Sequence, residues 1–124
     1  MGLLTGLRHD IKLNNRHEGS YDASDRLQIR ALRRAVCRLF GIQLAVAFHE
    51  AAINALHTPS HMFDLVVDKA DGVRIISQGL PIDSLCSIDG ELPENGRGFL
   101  IICSCSNCDI NTYEDKIELH LRPL

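Results

Sequence analysis

Tryptophan is absent from this 124-residue chain, and tyrosine and methionine occur only twice each. Long apolar runs are missing as well: none approaches the roughly 20 residues that a membrane-spanning helix requires, so no membrane is expected. An excess of basic charge is lacking, with Lys and Arg totalling 13 against 16 Asp and Glu and a net charge of −3, so bulk charge points to no nucleic-acid partner. Repeats and Gly- or Ser-rich linkers do not occur, and the whole chain, 1–124, is expected to form a single domain. The first residues show no basic-then-apolar leader with a cleavage site, and Gly6 stands where a myristoylation motif needs Ser or Thr. A cytoplasmic protein is therefore expected.

A second C-x-x-C-like pair is also lacking. The five cysteines are Cys37, Cys86, Cys103, Cys105 and Cys108, an odd number that a reducing cytosol keeps as thiols. The run "CSCSNC" invites a zinc or iron–sulfur reading, but on a helix Cys103 and Cys105 diverge by about 200°. His49, His57 and His61, which would have to complete a ligand set, belong to another element. Buried small apolar side chains are the expectation for these thiols.

What is present is ordinary: 45% hydrophobic and 23% charged residues, which excludes a disordered or collagen-like chain and suffices for a core. Alternation over Leu7–Asn14 predicts a strand, and "NNRHEGSYD" predicts a loop. A helix capped by Asp22 or Ser24 is expected to run to Phe40 and stop at Gly41. A second helix follows over about Ile42–Leu56, ended by "TPS". The period then changes to two: "MFDLVVD" and "VRIIS" read as strands joined at Ala70–Gly72. A long polar loop, "QGLPIDSLCSIDGELPENGRG", leads to a short apolar helix, "GFLIICSCS", and a final hairpin of "DINTYED" and "KIELHLRP". This order predicts an α/β two-layer sandwich, a mixed, mostly antiparallel sheet with helices packed on one face.

The second helix carries the most chemistry. With Glu50 at zero on a wheel of about 100° per residue, Asn54 falls near +40°, His57 near −20° and Gln43 near +20°. The opposite face collects Leu44, Phe48, Ala51, Ala52, Ala55 and Leu56. A solvated amphipathic face is one reading of that polar ridge. The other is a site in which a carboxylate acts as base and an amide oxygen binds a hard cation such as Mg²⁺.

The run "HEAAINALH" resembles the N box of the Bergerat-fold (GHKL) ATPases, in particular the anti-sigma-factor serine kinases of the RsbW type. That box has a Glu, an Asn-Ala pair one turn later and then a His; Glu50, Asn54, Ala55 and His57 supply these. "SQGLPID", Ser77 to Asp83, resembles the next motif, an Asp-x-Gly followed by a Phe-or-Ile-Asp pair. "GRGFLII", Gly96 to Ile102, resembles the following glycine motif at a helix start. The motifs occur in family order over about residues 42–104.

The resemblance implies a Bergerat fold that binds Mg²⁺ and ATP and phosphorylates a serine of an antagonist protein in a sigma-factor partner-switching circuit. Glu50 would be the general base and Asn54 the metal ligand. Gly96, Arg97 and Gly98 would meet the phosphates, and Ser77 and Gly79 the base. Partners would be a sigma factor, its antagonist and, as is frequent in the group, a second copy of the chain. One position departs from the pattern: Ser77 replaces the Asp that accepts a hydrogen bond from the adenine amino group. Losing a charged hydrogen bond costs about 1.5–3 kcal/mol, or roughly tenfold to a hundredfold in affinity. The segment between Asp83 and Gly96 is also short for an ATP lid. The alternative is thus a non-catalytic module of the same fold that regulates by protein binding only, or a piece of a larger regulator. Arg26, Arg30, Arg33, Arg34 and Arg38 spread over about 140° of the first helix, which suits an acidic partner surface or a solvated face.

Overall fold

The computed structural model describes residues 16–78 and 94–124, with side chains from residue 98 onward in the second stretch. Strand β1 (Arg16–Asp22) leads into helices α1 (Arg26–Phe40) and α2 (Ile42–Asn54), the latter extended by a 3-10 turn, Ala55–His57. Strands β2 (Met62–Asp68) and β3 (Gly72–Gln78) follow, then α3 (Glu94–Cys105), β4 (Asn107–Thr112) and β5 (Lys116–Arg122). The strands form one sheet in the order β1-β2-β3-β5-β4.

Every pairing in that sheet is antiparallel, which corrects the expected mixed sheet. Connectivity supplies the reason. Helix α3 returns the chain to the end where β3 began, but β4 takes the outer place and the β4–β5 hairpin inserts β5 between them. β5 therefore runs against both neighbours.

Alternation decides the two faces. Leu65, Ile75 and Leu119 are register partners across three strands, as are Val67, Val73 and Leu121, and all six are at most 4% exposed. Helices cover this face with Leu32, Val36, Leu44, Phe48, Ala51 and Ala52 from α1 and α2 and Ile102 from α3. The third row is Phe63, Ser77 and Ile117, so the inward face of β3 ends in a hydroxyl. The opposite face is polar: Ser20 donates to Asp64, Asn111 to Glu118 Oε2 at 2.9 Å, and His120 Nε2 to the Asp71 carbonyl at 2.8 Å.

Helix α1 is capped by Asp25, whose side chain accepts from the Gln28 N–H at 3.1 Å. Asp22 instead accepts from the Ser24 N–H and hydroxyl in a tight turn, so neither Asp22 nor Ser24 is the cap. Gly41, at φ +97°, closes α1 through its N–H to the Cys37 carbonyl and opens α2 as a single-residue corner. The run Arg16–Asp22, expected as part of a loop, is the edge strand β1; the strand expected at Leu7–Asn14 lies outside the described residues. Helix α3 begins at Glu94, before the expected "GFLIICSCS". Most of the polar loop ahead of it lies outside the described residues. Among the described residues no helix is long and apolar enough to cross a membrane.

The β2–β3 turn depends on Gly72, at φ +106°, where an added Cβ would stand 2.2 Å from the Leu121 carbonyl oxygen. Gly72→Ala is expected to cost about 2–3 kcal/mol of stability, from backbone strain plus that backbone clash, measurable as a lowered urea midpoint at unchanged slope.

Candidate functional site

The middle of the polar ridge of α2, Glu50 and Asn54, is not open to solvent. Helix α3 lies along it, and Glu50 and Asn54 are both half-buried. Gly98 is the point of closest approach: a Cβ on it would sit 3.3 Å from Glu50 Oε2 and 3.8 Å from Asn54 Oδ1. The glycine therefore leaves an opening the size of a methyl group between its backbone and a carboxylate plus an amide oxygen. Two such oxygens one helical turn apart suit a hard cation, which takes oxygen donors and completes its shell with water or phosphate.

Asn54 also borders a second feature. A hollow lined by Asn54, Ala51, Thr58, Ile75, Ser77, Ile117 and Leu119 lies between α2 and the inner face of the sheet. Its apolar floor is the β3–β5 pair, and its polar atoms come from Asn54, Ser77 and Thr58. The Thr58 hydroxyl is already engaged with the Ala55 carbonyl at 2.7 Å. Asn54 Nδ2 is buried with no hydrogen-bond partner. An unpaired buried amide costs about 1–3 kcal/mol, which a polar ligand atom in the hollow would offset. The hollow has a volume of about 20 Å³, about what one water needs. The hollow admits a water-sized atom beside Asn54 and Ser77, and a purine does not fit it in this conformation.

Of the residues that the sequence nominates, Glu50, Asn54 and Gly98 come together, and Asn54 and Ser77 share the hollow. Gly96 lies within helix α3, as does Arg97, whose side chain lies outside the described residues. Gly79 and Asp83 also lie outside them. His57 is exposed on the 3-10 turn, and Gln43 is exposed near the start of α2, so neither joins the site. Thr58 went unnoticed in the sequence because "TPS" reads only as a helix stop. Alternation along Val73, Ile75 and Ser77 is the signal that turns Ser77 inward.

On another side of α2, His49 is half-buried and its Nδ1 has no hydrogen-bond partner. Burial, then the nearby Arg33 guanidinium, hold its pKa below the ordinary histidine value, against a smaller opposite pull from Glu50. In the cysteine run Cys103 is exposed and Cys105 and Cys108 are half-buried; burial first, then the nearby Cys103 and Asp109, push the Cys108 thiol up to about 12. Among the described residues no three His, Cys, Asp or Glu side chains gather as metal ligands would.

No family model matches this chain, and neither the curated proteins nor the solved structures contain a significant match to it.

Two outcomes follow from this geometry. Gly98→Ala adds a good helix former inside α3 and meets only side-chain ends, Glu50 Oε2 closely and Asn54 Oδ1 at ordinary contact distance. Stability should hold or rise by up to about 1 kcal/mol, while any ligand held at Glu50 and Asn54 is lost. Denaturant melts and calorimetry on the same variant read the two effects separately. For His49 the folded state disfavours the proton, so the unfolded chain binds more of it near the ordinary histidine pKa. Stability should therefore fall as pH drops from 7 through 6, level off below the depressed folded pKa, and show a smaller fall in His49→Gln.

Proposed function

We propose that this chain is an anti-sigma-factor-like regulator of Bergerat type. It would hold the phosphates of Mg-ATP at Glu50, Asn54 and Gly98 and transfer a phosphoryl group to a serine of an antagonist protein in a partner-switching circuit. The observation that carries the reading is the approach of Gly98 to Glu50 Oε2 and Asn54 Oδ1. Motifs separated in sequence by more than forty residues meet at one point, which supports the reading. The α/β sandwich, with three helices on one face of a five-stranded antiparallel sheet, is compatible with that architecture.

Bound Mg-ATP supplies the transferable phosphoryl group and the metal charge that neutralises it. The rest falls to the chain. Glu50 Oε2 accepts the proton of the attacking serine hydroxyl, which must come within about 3 Å of it. Asn54 Oδ1 offers a neutral oxygen one helical turn away, so the site carries a single negative charge and does not repel phosphate as a carboxylate pair would. Gly98 keeps the backbone close without a side chain in the way.

A second reading keeps the fold without the chemistry: a module that binds a sigma factor or another regulator and turns over no nucleotide. Ser77 in place of a carboxylate and the 20 Å³ hollow favour it. Titration with Mg-ATP separates the two. The kinase reading expects saturable heat that Asn54→Ala removes and Arg30→Gln leaves intact, with phosphate transfer lost in Glu50→Gln. No heat at millimolar Mg-ATP in the native chain, but heat in Ser77→Asp, identifies a binding module with a reduced pocket.

A further inference from the structure

A separate pocket of about 310 Å³ opens between α1 and α2, lined by Arg26, Arg30, Arg33, His49 and the apolar side chains of Ala23, Ile29, Ile53 and Leu56. It is far larger than the hollow beside Asn54 and falls within the size range of small-molecule sites. The three arginines occupy i, i+4 and i+7 of α1, a spacing that stacks them on one helix face. Among the described residues no carboxylate forms an ion pair with any of them. Like charges one turn apart destabilise a helix by about 0.2–0.5 kcal/mol per pair, and no acid among the described residues forms an ion pair that would relieve them.

The rest of the lining differs in character. Ala23 and Ile29 are buried, and Leu56 stands at 37% exposure although its place on the apolar side of the helix wheel predicts burial. His49 adds a half-buried imidazole with a buried, unpaired Nδ1. Three arginines and a set of apolar side chains lining one pocket match a ligand with a dense negative charge at one end and an apolar body at the other. Guanidinium forks recognise phosphoryl oxygens with paired hydrogen bonds, and a dianion balances more of their charge than a carboxylate does.

We infer that this pocket binds a small organic phosphomonoester, its phosphoryl group on Arg26, Arg30 and Arg33 and its apolar or aromatic body against Ile29, Ile53 and Leu56. The site is distinct from Glu50, Asn54 and Gly98, and its test is independent of theirs.

Phenyl phosphate is the probe, with inorganic phosphate and benzoate as comparisons, titrated into the full chain by calorimetry while the His49 ring protons are followed by NMR. Phenyl phosphate is expected to bind at least tenfold more tightly than either comparison and to shift the His49 resonances. Arg30→Gln is expected to weaken it by about tenfold to a hundredfold, the worth of one charged hydrogen bond. Arg34→Gln, outside this pocket, should leave it unchanged. Leu56→Trp should remove the advantage of phenyl phosphate over inorganic phosphate without affecting the latter. Equal binding of all three anions, equal loss in Arg30→Gln and Arg34→Gln, or preference for an oligoglutamate peptide over phenyl phosphate would overturn the assignment; the last would make this face a protein-docking surface.

Discussion

Four alanines of α2, Ala45, Ala47, Ala51 and Ala52, are at most 2% exposed. They lie on more than one side of the helix, and that sets how the layers assemble. A helix with large side chains at these places would hold its neighbours at ordinary separations of 8–10 Å or more. Small ones let the sheet, α1 and α3 close around it, with Phe48 and Leu44 as its large buried side chains. His49, Glu50 and Asn54 of α2 are consequently half-buried, whereas Gln43 near its start is exposed. Glu50 and Asn54 point toward α3, and His49 toward α1. Polar groups in such surroundings carry desolvation costs that a solvated face would not have, and Asn54 Nδ2 and His49 Nδ1 are where those costs remain uncompensated.

Much of this arrangement was legible in the sequence, for identifiable reasons. The boundary between α1 and α2 was clear because a glycine interrupts two helical periods, and β2, β3 and the final hairpin because apolar residues alternate there. β1 was not clear. "RHEGSYD" has almost no apolar alternation, being an edge strand held by pairing with β2 and by Tyr21 packing near Phe63. The parallel or antiparallel character of the sheet depends on which strand inserts between which, and no local pattern encodes that.

The site was half legible. Spacing placed Glu50 and Asn54 on one side of a helix but could not say whether water or protein lay opposite. Only the fold brings Gly98 there. The arginine column was visible as charge, but the cavity between α1 and α2 beside it is a tertiary feature, and Leu56, assigned to the core, is 37% exposed. Ser77 shows the reverse case: its departure from the resembled motif was plain in sequence, while its inward orientation became evident only from the sheet register.

Gly41 has a consequence for mechanical precision. A single residue joins α1 to α2, with no slack to absorb a change in their angle. At 1.5 Å per residue, Glu50 stands about 13 Å from that corner, so a tilt of about 5° sweeps its carboxylate through roughly 1 Å. Under the proposed reading, in which Glu50 is the base, displacements of about that size would bring large losses in rate. Anything that pries the two helices apart or draws them together by a few degrees thus acts as a lever on the carboxylate, with the glycine as its fulcrum.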